Sequence, residues 1–308
     1  MTKKEAELKR IREAYEITMR GLSLAQIKRI LRLEYISDDD VMSYDMDDNN
    51  VYHHMTSRFF ANDERMKKWQ LDQVARMGAE GVCKSVNLPL AIELSHGCSK
   101  NCSFCALSAQ RLDAVYRATD ENMREFEAVL DLMEPILGAG AKDPLLFYAT
   151  EPLDNPDYFY FASLVRERSG YFPQISTTQY LRRADELRTW LPLVNQDANM
   201  VHRFSVLSEN DLLSIYDTYS PDELFWINIQ PRWRPEELYT CGRNNGLIAN
   251  TIACVSGFII NMASHTVRIE SPTMPTYKAP NGYNLFYSST WRDIDELKWK
   301  VNSMIENL

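Results

Sequence analysis

The stretch LAIELSHGCSKNCSFCALS, residues 90–108, opens with a short apolar run, LAIEL (90–94). That run has the length of a buried strand and is too short for a helix of its own. It leads directly into Cys98, Cys102 and Cys105, a C-x3-C-x2-C pattern. Thiolates select soft metals, chiefly zinc or iron–sulfur clusters. A structural zinc site takes four ligands, usually in two pairs, and no second C-x2-C follows downstream; His96 is the residue that would complete one. Three cysteines on one loop suit a four-iron cluster with three protein ligands and one open iron, where a substrate can bind.

Downstream of the loop, strand-like and helix-like segments alternate. ENMREFEAVLDLMEPIL (121–137) reads as an amphipathic helix, LLFYA (145–149) as a buried strand, and PDYFYFASLVRERSG as a helix stopping at Gly170. QISTT (174–178), HRFSVL (202–207) and FWINIQ (225–230) read as strands, separated by the helices RADELRTWLPLV and ENDLLSIYDTY. TIACVSGFIINM and HTVRIE add one or two more strands. This alternation predicts parallel βα units, and in a βα barrel chemistry sits at the C-terminal ends of the strands. Upstream, residues 1–35 read as two short helices broken near Gly21, SDDDVMSYDMDDNN (37–50) as a solvated acidic loop, and 57–84 as helical. The expected organisation is a helical N-terminal extension over 1–88, a barrel over 89–275, and a C-terminal segment over 276–308 ending in a helix.

The cysteine loop after the first strand, with the aromatic Phe104 ahead of Cys105, resembles the radical S-adenosylmethionine (SAM) superfamily. The resemblance implies an α/β fold, a partial (β/α)6 barrel carrying a helical N-terminal extension. It implies a [4Fe-4S] cluster held by Cys98, Cys102 and Cys105, whose open iron chelates SAM and whose electron releases a 5′-deoxyadenosyl radical. It also makes Phe104 a cofactor-side residue. YATEPLDNP (148–156) takes the place of the superfamily's Gly-Gly-Glu-Pro segment, so Glu151 would accept hydrogen bonds from the SAM ammonium, a charge-assisted contact. Ser176 and Thr177 end the third strand, where hydroxyls lie near the SAM ribose and carboxylate. Arg203 and Ser205 alternate onto one face of the fourth strand, and the Arg203 guanidinium suits a carboxylate.

A closer resemblance spans roughly residues 65–275. KKWQLDQVARM, IELSHGCSKNCSFCALSA, YATEPLDNPDY, RFSVLS and ACVSGFIINM, in that order, resemble the radical SAM epimerases that mature ribosomally synthesised peptides, including proteusin-type precursors. The family implies a precursor peptide of leader plus core as substrate, a small leader-binding partner protein, and an electron donor such as flavodoxin or ferredoxin. Epimerisation removes a Cα hydrogen and returns one from the opposite face, and a thiol suits that return because S–H bonds are weak. Cys254 and Cys241 are the candidate donors, with Cys254 favoured for its strand-like segment and Cys83 the least favoured. Only two cysteines follow residue 105, too few for auxiliary clusters, which suits a reaction that is redox-neutral at the substrate. The alternatives are a related splicease that excises a tyrosine-derived tyramine, leaving an α-keto-β-amino acid, and a non-enzymatic zinc-bound peptide-binding protein. QPRWRPEELYTCGRNNG (230–246) is either a cap touching peptide backbone or an ordinary polar loop.

Composition agrees with a globular chain. Of 308 residues 45% are hydrophobic, and 34 Lys and Arg against 43 Asp and Glu give a net charge of -9. So acidic a chain is a poor sequence-independent binder of nucleic acid, which rests on neutralising phosphates. No apolar run reaches the ~20 residues a membrane helix needs, and MTKKEAELKRIREAYEI lacks the apolar core of a signal peptide. The expectation is a cytoplasmic protein with no nucleic-acid and no membrane partner.

Overall fold

Six consecutive buried residues, LPLAIE, form the first strand, as expected of a strand covered on both faces. The computed structural model describes residues 60–73, 88–102, 105, 107–142, 144–170, 172–194, 202–225, 227–232, 255–273 and 277–308, with Lys3, Ala6 and the backbone of 239–240 and 248–249. After a helical stretch at 64–73, the elements are β1 (Leu88–Glu93), β2 (Ser95–His96), β3 (Ala114–Val115), α1 (Asp120–Leu137), α2 (Tyr158–Ser169), β4 (Ser176–Thr177), α3 (Ala184–Val194), β5 (His202–Val206), α4 (Glu209–Thr218), α5 (Pro221–Leu224), β6 (Ile227–Pro231), β7 (Tyr239–Thr240), β8 (Ile248–Ala249), β9 (Val255–Asn261), β10 (Thr266–Pro272), β11 (Tyr283–Thr290) and α6 (Ile294–Glu306). Most of the helical extension expected over 1–88, including the acidic stretch 37–50, lies outside the described residues. No helix among the described residues is long and apolar enough to cross a membrane.

The fold is mixed α/β. One sheet runs β1-β9-β10-β11, with β1 parallel to β9 and the remaining pairs antiparallel; a second, β4-β5-β6, is wholly parallel. Among the described residues no ladder joins the two, so the strands expected to form one partial barrel lie in separate, unclosed sheets. The expected second strand, LLFYA, is reduced to a single parallel bridge between Ala91 and Leu145. Pro144 just before it has no N–H to extend the ladder. Beyond it, Ala149 N donates to the Glu93 carboxylate at 2.8 Å rather than to a strand carbonyl. Side-chain chemistry has replaced the ladder at the end where the site lies.

β1 separates two apolar layers. Leu90 and Ile92, with Phe258 and Ile260 of β9, pack outward in a large core that takes Phe126 and Met133 from α1, Phe161 from α2 and Val301 from α6. Ala91, Val255, Ile259 and Tyr148 form a smaller cluster on the opposite face, with Leu107 of the cysteine loop and Tyr283 of β11 against it. Register shifts at Pro89, and a Cβ on the facing Gly257 would lie 2.0 Å from the Pro89 carbonyl oxygen. Only glycine permits that approach.

The helices carry the end signals their sequence supplies. Thr119, Ser208 and Asp293 cap α1, α4 and α6 through side-chain oxygens, and α2 ends at Gly170, φ 87°. Residues 60–73 dock on the mixed sheet: Gln70 Nε2 donates to the Ser256 carbonyl at 2.9 Å, and Trp69 meets Phe286 edge-on at 5.1 Å.

His202 sits fully buried in β5, its Nδ1 accepting from Ile175 N at 3.2 Å and its ring edge-on to Trp190. Burial lowers its pKa from 6.5 to about 3. The unfolded chain therefore binds a proton the folded chain refuses. Stability is full above pH 6.5 and falls as pH drops from 6.5 toward about 3, by about 1.4 kcal/mol per unit from this group. His202→Asn is expected to flatten that part of the acid limb in denaturation curves taken across the window, while lowering stability at neutral pH.

Candidate functional site

The cysteine loop leaves the C-terminal end of β1 and returns to it. β2 and β3 close its base as an antiparallel pair, Ser95 with Val115 and His96 with Ala114. Cys98 N donates to the Gln110 carbonyl at 2.9 Å, and Leu112 N to the Cys98 carbonyl at 3.2 Å. Two turns follow, Cys105 N to the Cys102 carbonyl and Ser108 N to the Cys105 carbonyl, each at 3.2 Å. Ser108 Oγ also donates to Asn281 Oδ1 at 3.0 Å, fastening the loop to the segment before β11.

Gly97 makes the first bend, at φ 84°. A Cβ there would lie 2.1 Å from the Arg111 carbonyl oxygen. Gly97→Ala is expected to cost about 3 kcal/mol from left-handed strain plus overlap. Denaturant midpoints would show it.

Cys98, Cys102 and Cys105 are all partly exposed and none is in a disulfide. Lys100 N donates to Cys98 Sγ at 3.5 Å and Ala109 N to Cys105 Sγ at 3.4 Å. Burial pushes the Cys98 thiol up to about 11, with Glu151, Asp154 and Cys102 adding to it against the Lys100 hydrogen bond. Burial and the neighbouring Cys105 raise Cys102. A metal cation would reverse this by binding the thiolates.

Glu151 is 4% exposed and receives four donors. Its Oε1 accepts from Thr177 Oγ1 and from Leu153 N (3.3 Å); its Oε2 accepts from Thr178 N (2.9 Å) and Thr178 Oγ1 (2.7 Å). Burial raises its pKa while these donors oppose the rise. The same turn continues outward. Asp154 Oδ2 accepts from Ser99 N at 2.7 Å and its Oδ1 from Gln179 Nε2 at 2.6 Å. The buried Asn155 donates to the carbonyls of Leu94 (2.9 Å) and Tyr116 (2.7 Å), the two sides of the loop's base.

Ser176, Arg203 and Ser205 share one face of the parallel sheet. Ser176 pairs with Arg203 across the ladder, and Ser176 Oγ lies 3.4 Å from Ser205 Oγ. Thr177 belongs to the other face, fully buried against Glu151. Asn228 and Gln230 of β6 stand opposite Arg203 and Ser205 in register and extend the polar face. Sequence reasoning passed over these two, although the alternation in INIQ marks them. Arg203 forms no ion pair among the described residues, and its Nε is buried without an acceptor. A guanidinium so placed fits an anionic group brought from outside.

A second polar group was also missed. Glu93 ends β1 and is buried beside Asn261, which ends β9; Asn261 Nδ2 donates to Glu93 Oε2 at 3.1 Å. Arg268 donates to Glu93 Oε2 at 3.2 Å and to Glu270 Oε1 at 2.6 Å. Burial alone would lower the Arg268 pKa, but Glu93 and Glu270 hold it charged. Burial raises Glu270, which lies beside the Tyr148 hydroxyl. The signal was a charge closing an apolar strand, and the alternation of Arg268 and Glu270 with Val267 and Ile269.

Among the described residues no three His, Cys, Asp or Glu groups converge on a single metal ion. His96 is engaged instead by Gln110, 2.7 Å from its Nε2, and by Asp113 at 3.4 Å. A mononuclear zinc needs convergence. A four-iron cluster binds each thiolate to a different iron, and this donor set, three partly exposed thiols with N–H groups on two of the sulfurs, fits that demand. Phe104, Cys241 and Cys254 lie outside the described residues, as does Cys83.

No family model matches the chain. It is 30% identical over 265 residues to the uncharacterized protein y4wI of Sinorhizobium fredii (strain NBRC 101917 / NGR234), an alignment covering 79% of this chain and 51% of that protein. The chain thus spans about half the length of this curated relative. Among solved structures it is similar to BtrN in complex with AdoMet and 2-DOIA, with a TM-score of 0.40 and 12% identity over 60% of this chain and 73% of that one.

Proposed function

We propose that this chain is a radical SAM enzyme that converts L residues of a ribosomally made peptide to D residues. The observation that carries the radical SAM part is the cysteine loop itself. Three partly exposed thiols leave the end of a buried parallel strand, backed by the Glu151–Asp154 turn. A [4Fe-4S] cluster bound there would supply the electron that cleaves SAM to a 5′-deoxyadenosyl radical. Cys98, Cys102 and Cys105 would hold it. Arg203, with its buried Nε lacking an acceptor, would take the SAM carboxylate, and Ser176 and Ser205 on the same face would bond its hydroxyls. Glu151 would meet the SAM ammonium by exchanging one of its hydroxyl donors for the cation. Cys254, immediately before β9, would return hydrogen to the substrate Cα, with Cys241 second. The epimerase part rests on the resemblance of the five sequence blocks.

The test is an anaerobic reaction of the iron-reconstituted chain with SAM and a precursor peptide from its gene neighbourhood in heavy water. Epimerisation adds one mass unit per modified residue and yields D-amino acids on hydrolysis. A large mass loss would replace it with splicing. A colourless chain that binds zinc alone would remove the radical chemistry altogether.

A further inference from the structure

Asp154 joins two parts of the site that the chain separates widely. One carboxylate oxygen holds the backbone N–H of Ser99, the residue after Cys98; the other holds the side-chain amide of Gln179, two residues beyond Thr177. Its own N–H donates to the Glu151 carbonyl at 3.0 Å, so Asp154 also braces the turn that carries Glu151. Neither contact is a surface ion pair: Asp154 has no ion-pair partner among the described residues, and its Oδ2 is held 2.7 Å from the backbone nitrogen of the residue that follows Cys98.

We propose that Asp154 is a positioning residue for the cysteine-bound cluster. It locks the Cys98 end of the loop against the third-strand end, and its negative charge holds the cluster's reduction potential low. This rests on the cluster reading of the cysteine loop. A negative charge beside an iron–sulfur centre disfavours adding an electron, and charge and hydrogen bonding near the sulfurs are the protein's means of setting that potential. A cluster that must reduce a sulfonium needs a low potential, and Asp154 supplies charge without becoming a ligand.

Asp154→Asn keeps the volume but removes the charge. Its single side-chain oxygen can serve Ser99 or Gln179, and the amide NH2 then faces the other donor. Asp154→Glu keeps the charge and moves it by one methylene. Gln179→Leu removes one tie and no charge. All three variants should take up iron at wild-type stoichiometry, since the cysteines are intact. Redox titration followed by electron paramagnetic resonance should show the Asp154→Asn potential shifted in the positive direction, with Asp154→Glu and Gln179→Leu near wild type. Apparent SAM affinity should weaken in both Asp154→Asn and Gln179→Leu, because each loosens the loop from the third strand. An unchanged potential in Asp154→Asn, beside a wild-type chain that holds its cluster, would overturn this inference alone. A wild-type chain that takes up no iron would overturn the cluster reading and this inference with it. Thermal unfolding of the iron-free variants separates either result from a failure to fold.

Discussion

Cys102→Ala is expected to leave the chain folded and colourless. The side chain is only partly buried, so removing one sulfur should cost no more than about 1 kcal/mol in denaturant unfolding. The loss at the cluster is of another order. Outer partners of a metal site are worth about 10–100-fold in affinity, and a ligand is worth more than its supports. With two thiolates left on the loop, iron bound per chain after reconstitution should fall to a trace and SAM cleavage to background. Cys98→Ala and Cys105→Ala should behave alike, because in the proposed cluster each thiolate would hold a different iron. His96→Ala, by contrast, should retain iron and colour, since that ring is engaged by Gln110 and Asp113 rather than by the thiols. If His96→Ala lost metal as fully as the cysteine variants, and the metal were zinc, the radical chemistry would fall with it.

The parts of this arrangement that were legible in the sequence are those fixed by local spacing. The helix expected over 121–137 spans Asp120–Leu137, and the apolar run 90–94 lies, save Leu94, within a strand buried on both faces. Gly170 stops α2 as read. The cysteine spacing and the Glu-Pro turn were equally plain. What escaped was what depends on long-range partners. The second strand looked complete in LLFYA, yet its ladder ends where Glu93 takes the Ala149 N–H, 56 residues away in the chain. Arg268 read as one polar position in a strand, but its partner Glu93 lies 175 residues earlier. β11 went unforeseen because YNLFYSST presents no clean apolar face: its residues are half-buried or exposed, and the strand is held by its pairing with β10. Thr177 was grouped with Ser176 by adjacency. In a strand adjacent residues face opposite ways, and here that difference divides a hydroxyl bonded to Glu151 from one on the face of Arg203.

Glu151 is where fold and proposed chemistry meet, and Glu151→Gln tests both at once. A carboxylate accepts about four hydrogen bonds, and Glu151 already has four donors, two of them backbone N–H groups. Glutamine turns an NH2 toward one pair. A threonine hydroxyl can rotate to accept from it; the backbone N–H of Leu153 or Thr178 cannot. One buried N–H is then orphaned, at a cost of about 1–3 kcal/mol. Glu151→Ala orphans both and opens a cavity, so its cost should approach double that. pH sharpens the comparison. Burial raises the Glu151 pKa in the folded chain, so this group's contribution is greatest in acid and declines as pH rises through the folded value. The stability advantage of wild type over Glu151→Gln should therefore narrow with rising pH across the upper carboxylate range, the opposite trend to His202. If the carboxylate also receives the SAM ammonium, Glu151→Gln should weaken SAM binding by roughly 10–150-fold, the worth of one charge-assisted hydrogen bond. Glu151→Gln with wild-type SAM affinity, alongside the predicted loss of stability, would make Glu151 a clamp for the third strand and nothing more.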